Sequence, residues 1–365
     1  MRIIHVVWSL SFGGAETLLV QLLNRQCISN NVSLIIVNDV IERSLLEQID
    51  KKVRIIRINR PSKNRNPFYL LKLSWKLLFT KSDIVHFHQD NLIEYVPIRF
   101  FKKNLCLTVH SVSLDEKSLF KYHYLFAISK SVQKRIKESC GLDSTLIYNG
   151  INTSAFKSKE HSFKKEDERE DEKENKKEDE KYKIVQIGRL NHTIKGQDLL
   201  IKAVDILVKK GYSDLSVSII GDGISSGHLQ SLIDELNLSD YVKLEGSKSV
   251  SEIGVSLHHY DLLVQPSRYE GFGLVAAEAM IAKVPVLVSD VAGLTEIIQE
   301  NKYGFSFQSE NEADFANKIE QLISLSEKET EELANRAYQY VIENFDISVT
   351  SAKYLEAYKN ISEKN

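Results

Sequence analysis

Residues 261–280 read DLLVQPSRYEGFGLVAAEAM. A short leucine- and valine-rich run breaks at Pro266 into a turn holding Gly271 and Gly273, and small and aliphatic residues with helical character follow from Leu274. Strand, glycine turn and helix make half of a βαβ unit. Without side chains at the glycines, the backbone of Gly271, Phe272, Gly273 and Leu274 can approach a ligand, and a helix start carries about half a positive charge that suits a phosphate. Two acids interrupt this apolar stretch. Glu270 stands just before the helix and Glu278 about a turn and a half into it, so each carboxylate can accept paired hydroxyls while the helix start holds an anion between them. The plainer readings are a capping acid at 270 and a satisfied core carboxylate at 278.

Working outward, the same alternation of short β-branched runs and amphipathic helical stretches recurs on both sides of an unusual segment. Residues 164–181, KKEDEREDEKENKKEDEK, are charged at seventeen of eighteen positions, and no packed core can be built from them. Before this tract the strands read IIHVVW, VSLIIV, VRIIRI, DIVHFH, LCLTVH, YLFAIS and TLIY; after it, YKIVQIG, LSVSIIG, YVKLEG, DLLVQP and VPVLVS. Helical patterns follow near 292–300, 311–325 and 328–343, and a last one carries Tyr354 and Tyr358 on one face. The expectation is α/β: two Rossmann-like doubly wound domains facing across a cleft, with the last helix crossing back to the first domain. The expected boundaries are 1–156 with 346–365, a linker or insertion at 157–181, and 182–345.

Two more strand-to-helix loops carry chemistry. In GRLNHTIKG, Arg189 and Lys195 lie six residues apart and can neutralise one diphosphate, although as surface charges they would mean little. In IIGDGISSG, Gly221, Gly223 and Gly227 come close to a dinucleotide fingerprint, with Glu245 eighteen residues on. The spacing is G-x-G-x-x-x-G and follows the domain's second strand, which argues against a nicotinamide enzyme. In the first half, Gly13 and Gly14 precede a helix, fitting either a tight turn or an approach to sugar. His86 and His88 share a strand face and His110 ends the next strand; the spacing supplies no third metal ligand, so they read as cleft-lining residues. No D-x-D pair occurs to hold a divalent ion on a sugar diphosphate. No metal and no cofactor is therefore expected.

With 365 residues, each domain is large enough to bury its own core. Three scattered cysteines fit a reducing compartment better than a disulfide framework. The apolar run at the N-terminus is too short for a signal peptide or a membrane span. Net charge is −2, but residues 1–150 hold 22 Lys/Arg against 12 Asp/Glu and the remainder 26 against 38. Such a basic first half suits an anionic surface or a phosphate-bearing substrate. Within it, residues 59–79, NRPSKNRNPFYLLKLSWKLLF, mix basic and aromatic residues as either a membrane-surface helix or a buried amphipathic one.

Taken together, GGAE, DIVHFH, TVH, AISKSV, YNGIN, GRLNHTIKG, IIGDG, PSRYEGFGLVAAEAM and VSDVAGLTEII resemble glycosyltransferase family 4 over nearly the whole chain. The resemblance implies the GT-B fold and a retaining hexosyltransferase that takes a nucleotide-sugar, most simply a UDP-sugar, and gives the hexose to a glycan or lipid-linked acceptor in polysaccharide biosynthesis. By position it implies that Arg189, Lys195, Glu270 and His110 act at the reacting centre. Glu278 would take the ribose, and Gly13, Gly14, Gly221, Gly223 and residues 271–274 would line the substrate. A cytoplasmic location is expected, at the inner face of an anionic membrane, with nucleic acid not among the partners. The alternatives are a catalytically silent subunit, which would hydrolyse no donor, and a nucleotide-sugar epimerase of the same fold, which would need no acceptor.

Overall fold

The computed structural model describes residues 1–11, 13–62, 64, 66–96, 104–111, 113–159 and 181–363. The charged tract expected to separate the domains lies outside the described residues but for Lys181. The chain divides into two compact units, Met1–Asn152 with Asn344–Asn365, and Thr153–Glu343.

The first unit is built on seven parallel strands: β1 (Arg2–Val7), β2 (Asn31–Asn38), β3 (Arg54–Arg60), β4 (Ile84–Phe87), β5 (Asn104–Val109), β6 (Tyr124–Ala127) and β7 (Thr145–Leu146), in the order β3-β2-β1-β4-β5-β6-β7. These strands are near-continuous Val, Ile and Leu runs because helices cover both faces of a parallel sheet. One face buries Leu19, Leu23 and Leu34. The other buries Ile3, Ile84, Cys106 and Phe126 under Tyr354 and Tyr358 of the helix Ile347–Glu363, as their shared helix face predicts. The last helix thus returns to the first unit. A bridge between Ile151 and Asp346 and the bond from Ile347 N–H to the Ile151 carbonyl (2.9 Å) fix its entry.

The second unit holds β8 (Tyr182–Ile187), β9 (Leu215–Ile220), β10 (Val242–Gly246), β11 (Leu262–Gln265), β12 (Val286–Ser289) and β13 (Phe305–Phe307), ordered β10-β9-β8-β11-β12-β13 and all parallel. The edge strand β13 is the one the sequence pattern does not announce. It has three residues and is entered from a turn in which Gln299, Glu300 and Asn301 all take positive φ. Its Phe307 stacks on Phe315, ring centroids 4.0 Å apart, closing that end of the core.

In both sheets the strand order reverses beside the first strand, between β1 and β4 and between β8 and β11. Ligands of open α/β sheets bind beyond the carboxyl ends of the strands at such a reversal. The helix Pro67–Phe79 starts with Asn66 accepting from Phe68 N–H and with proline in the first turn, where a missing N–H costs nothing. It buries Leu73 and Leu77 yet leaves Phe68, Leu71, Trp75, Leu78 and Phe79 exposed. One face is thus packed as in an amphipathic core helix, and the other carries apolar side chains outward.

Candidate active site

At the carboxyl ends of β8 and β11 the two predicted loops meet. Lys195 Nζ donates to Glu270 Oε2 at 2.7 Å, with the side chains 24% and 16% exposed. The same oxygen accepts from Ser267 Oγ at 3.2 Å and from Gln265 Nε2 at 3.3 Å. Glu270 Oε1 has no protein partner among the described residues, so one oxygen of this fixed carboxylate is left for a ligand. Gln186, the second of two buried glutamines on neighbouring strands, donates to the Lys195 carbonyl at 2.8 Å. The amide oxygens of Gln186 and Gln265 are themselves buried without partners. Orphaned acceptors cost stability, and both sit where their amide nitrogens hold the site.

The turn carrying Lys195 is held by a residue that the sequence reading passed over. Arg268 makes a two-pronged pair with Asp198, 2.7 and 2.9 Å, and also donates to the His192 carbonyl and to Glu310, both at 2.5 Å. Its own N–H bonds the Ile194 carbonyl at 2.8 Å. Burial alone would raise the Asp198 carboxyl, but the Arg268 guanidinium outweighs it and holds it below the ordinary range. Arg268 lies inside the stretch that decided the fold, but its partner is 70 residues away, and no local pattern reveals such a pair.

Glu278 faces a different environment. It is part-buried on the helix Leu274–Ile281, and among the described residues no hydrogen bond or ion pair reaches its carboxyl. Burial pushes its pKa up to about 7. The satisfied-core reading therefore fails: this is a desolvated acid without a protein donor. The helix begins at Gly273, whose φ of 87° suits glycine, and no side chain caps it, so its first N–H groups remain available. Phe272 and Gly273 are buried while Gly271 and Leu274 stay partly accessible.

The remaining predicted residues of the second unit differ in their surroundings. Arg189 is exposed and its side chain has no partner among the described residues. Gly221 and Gly223 pack against backbone: a Cβ on Gly221 would stand 1.9 Å from the Gly188 carbonyl oxygen, and one on Gly223 2.4 Å from that of Leu190. Their lack of side chains brings two loops together, a local reason independent of any ligand. Glu245, the acid weighed for a dinucleotide ribose, is engaged by Ser218 and Lys248. A hollow of about 1030 Å³, lined by Lys157, Lys183 and His258, opens at the amino ends of β8 and β11 and contains none of these groups.

In the first unit, Gly13 precedes the helix Gly14–Gln26 without a side-chain cap. His110 is half-buried past the end of β5, and behind it stands a file of imidazoles. Sequence spacing shows no third ligand for His86 and His88, whereas the fold brings a histidine from β1 beside them. His5, on β1 and in register with His86, brings three ring nitrogens within 4.8 Å of one another. All six ring nitrogens of these three are hydrogen-bonded. His5 pairs with Gln26 (2.8 Å) and His88 (3.0 Å), His86 with Thr108 (2.7 Å) and Tyr358, and His88 with His110 (3.4 Å).

Among the described residues no helix is long and apolar enough to cross a membrane. The profile of the glycosyl transferases group 1 matches residues 167–340, and that of glycosyltransferase family 4 matches 12–155. An uncharacterised glycosyltransferase of Methanocaldococcus jannaschii is 29% identical over 59% of this chain and 55% of its own length. The poly(ribitol-phosphate) alpha-N-acetylglucosaminyltransferase of Staphylococcus aureus is 32% identical over 48% of this chain and 35% of its own. The chain thus spans about half the length of these curated relatives or less. In fold it matches Anabaena Alr3699/HepE, crystallised with UDP and glucose, at a TM-score of 0.77 over 98% of this chain and 99% of that one, with 19% identity. The fold is GT-B.

Proposed function

The chain belongs to the group 1 glycosyltransferases, and on that premise we propose that it transfers a hexose, with retention of configuration, from a UDP-sugar to a hydroxyl of a glycan or lipid-linked acceptor in polysaccharide biosynthesis. One observation carries this reading. Beside an uncapped helix start, the second unit holds an acid paired to a lysine, Glu270 with Lys195, and an unpaired desolvated acid, Glu278. A nucleotide-sugar supplies what each lacks. Ribose hydroxyls donate to Glu278, the diphosphate sits at the helix start with Lys195 and Arg189, and hexose hydroxyls reach Glu270 Oε1.

In the reaction, the bond between the sugar carbon and the diphosphate oxygen loosens, and its electron pair leaves with the diphosphate. The acceptor hydroxyl attacks the same face, and its proton passes to the departing oxygen. The protein's share is charge stabilisation, in which a well-placed donor is worth about 3–4 kcal/mol. Lys195 and Arg189 meet the leaving-group charge in place of a divalent ion, and Glu270 faces the positive charge growing on the ring. The likeness in fold to HepE, which was crystallised with UDP and glucose, supports the choice of donor.

The acceptor is assigned to the first unit, with Gly13, Gly14 and His110 as that unit's substrate-lining residues. The exposed face of the helix Pro67–Phe79 docks on anionic lipid at the inner face of the membrane. Phe68, Leu71 and Phe79 are 62%, 67% and 70% exposed. Lys52, Arg54, Lys76 and Lys81 line one surface hollow together with Trp75 and Phe79. Exposed apolar side chains together with basic ones fit the boundary between headgroups and acyl chains.

The test is a panel of nucleotide-sugars with a glycolipid extract as acceptor, run with and without EDTA, and NMR of the product's anomeric carbon. Transfer from a UDP-sugar with retained configuration and no loss in EDTA is expected. Sugar isomerisation without acceptor, inversion, or abolition by EDTA would overturn it.

A further inference from the structure

Behind His110 the imidazoles form a single hydrogen-bonded file: Gln26, His5, His88, His110. We propose that Gln26, through His5 and His88, fixes the tautomer of His110, so that His110 presents a bare Nδ1 and accepts a hydrogen bond from a substrate hydroxyl. This rests on the assignment of His110 to the acceptor side of the site.

The direction of the file follows from the chemistry of its inner end. Gln26, fully buried at the last turn of the helix Gly14–Gln26, turns its amide oxygen to His5 Nε2 at 2.8 Å. An amide oxygen only accepts, so His5 Nε2 carries the hydrogen. A neutral imidazole has one N–H and one lone pair. His5 Nδ1 is then an acceptor, and His88 Nε2, 3.0 Å away, must donate to it. His88 Nδ1 is bare in turn and accepts from His110 Nε2 across a longer 3.4 Å contact. The remaining nitrogen of His110, Nδ1, has no partner among the described residues.

Burial keeps the rings neutral, as a single tautomer requires, holding His5 and His110 near a pKa of about 4 and His88 well below the ordinary value. The rings lie edge to edge, as in-plane hydrogen bonds require: the His5–His88 and His88–His110 centroids are 5.3 and 5.6 Å apart with the ring planes 24° and 28° from parallel. The alternative occupant, a metal ion on His5, His86 and His88, would have to break the hydrogen bonds that already use all their nitrogens. Gln26, His5 and His88 are thus positioning residues. A protonated Nδ1 would suit a phosphate oxygen, whereas a bare one suits a hydroxyl of the sugar or the acceptor.

The full chain with 15N-labelled histidine reads this directly by NMR at neutral pH, with His110→Gln giving the assignment. His5, His88 and His110 should each appear as the Nε2–H tautomer, with a coupling across the hydrogen bond from His88 Nε2 to His5 Nδ1. Gln26→Met should lose that coupling, show a second His110 signal with Nδ1 protonated, and lower kcat with the donor KM unchanged. His5→Phe, which removes the middle of the file, should do the same if Gln26→Met does not fold. A wild-type His110 protonated at Nδ1, an unchanged His110 spectrum in a folded variant, or stoichiometric zinc in the purified protein would overturn the proposal. Full turnover in His110→Ala would instead remove the site assignment and leave the tautomer measurement standing.

Discussion

Lys195 and Glu270 form an ion pair at 2.7 Å, although they come from separate strand-to-helix loops 75 residues apart. The pair is mostly buried, and Ser267 and Gln265 hold Glu270 on the oxygen that Lys195 uses. Lys195→Ala removes the cation but leaves those two donors, so the carboxylate keeps its place. Turnover should fall by about a hundredfold or more, in line with loss of one donor to a developing charge, while circular dichroism stays native. Wild-type turnover in Lys195→Ala would remove this lysine from the chemistry.

Arg268 and Asp198 tie the turn that carries Lys195 to the loop that carries Glu270. Their side chains are only 17% and 11% exposed. Arg268→Met would leave Asp198 buried and unpaired, which typically costs about 3–5 kcal/mol. A denaturant titration should show that loss, and the double variant with Asp198→Leu should recover most of it. A double variant as unstable as the single one would mean that the guanidinium's bonds to His192 and Glu310, rather than the pair, hold the loop.

Glu278 gives the donor site a pH dependence whose sign can be worked out. Its carboxyl is raised to about 7, so the folded chain holds that proton more tightly than the unfolded chain does. Its contribution to stability is therefore full below the unfolded pKa of ~4.3 and is lost as pH rises through 7. Ribose hydroxyls that donate to the carboxylate pull the pKa back down, so donor binding releases a proton. Affinity for a UDP-sugar, whose diphosphate does not titrate in this range, should weaken below pH 7 by up to about tenfold per pH unit. Calorimetry should find that slope in the wild type and none in Glu278→Gln; equal slopes would detach Glu278 from the donor.

For the helix Pro67–Phe79, sedimentation with liposomes tests the membrane assignment. Binding to vesicles containing phosphatidylglycerol should exceed binding to neutral vesicles at low salt, fall as salt rises, and weaken in Trp75→Ser/Phe79→Ser. Equal recovery with neutral and anionic vesicles would refute a charge-driven contact.

How far the sequence discloses this molecule depends on how local each feature is. The strand, turn and helix around Glu270 and Glu278 are legible because glycine placement and hydrophobic period act within 20 residues. Tyr354 and Tyr358 are legible as one helix face, although their partners Thr108 and His86 are not. His5 meets His88 from 83 residues away through strand order, and only the parallel pairing of β1 with β4 reveals it. Arg268 with Asp198 is hidden for the same reason. The edge strand β13 escapes because three residues leave no measurable alternation. Gly221 and Gly223 are ambiguous in sequence, since a glycine that admits a neighbouring loop looks there like one that admits a phosphate, and only the fold shows the loops they bring together.

If Glu278 and Glu270 grip different sugars of one donor, their amide variants must fail in different ways. Glu278 holds the ribose in ground and transition states alike, whereas the charge on Glu270 matters most as positive charge builds on the hexose. Calorimetric titration of Glu278→Gln and Glu270→Gln with free UDP, beside steady-state kinetics, separates the two. Glu278→Gln should lose UDP affinity, while Glu270→Gln should bind UDP as the wild type does and lose kcat. Equal loss of UDP affinity in both variants would refute the division of the donor between these two acids.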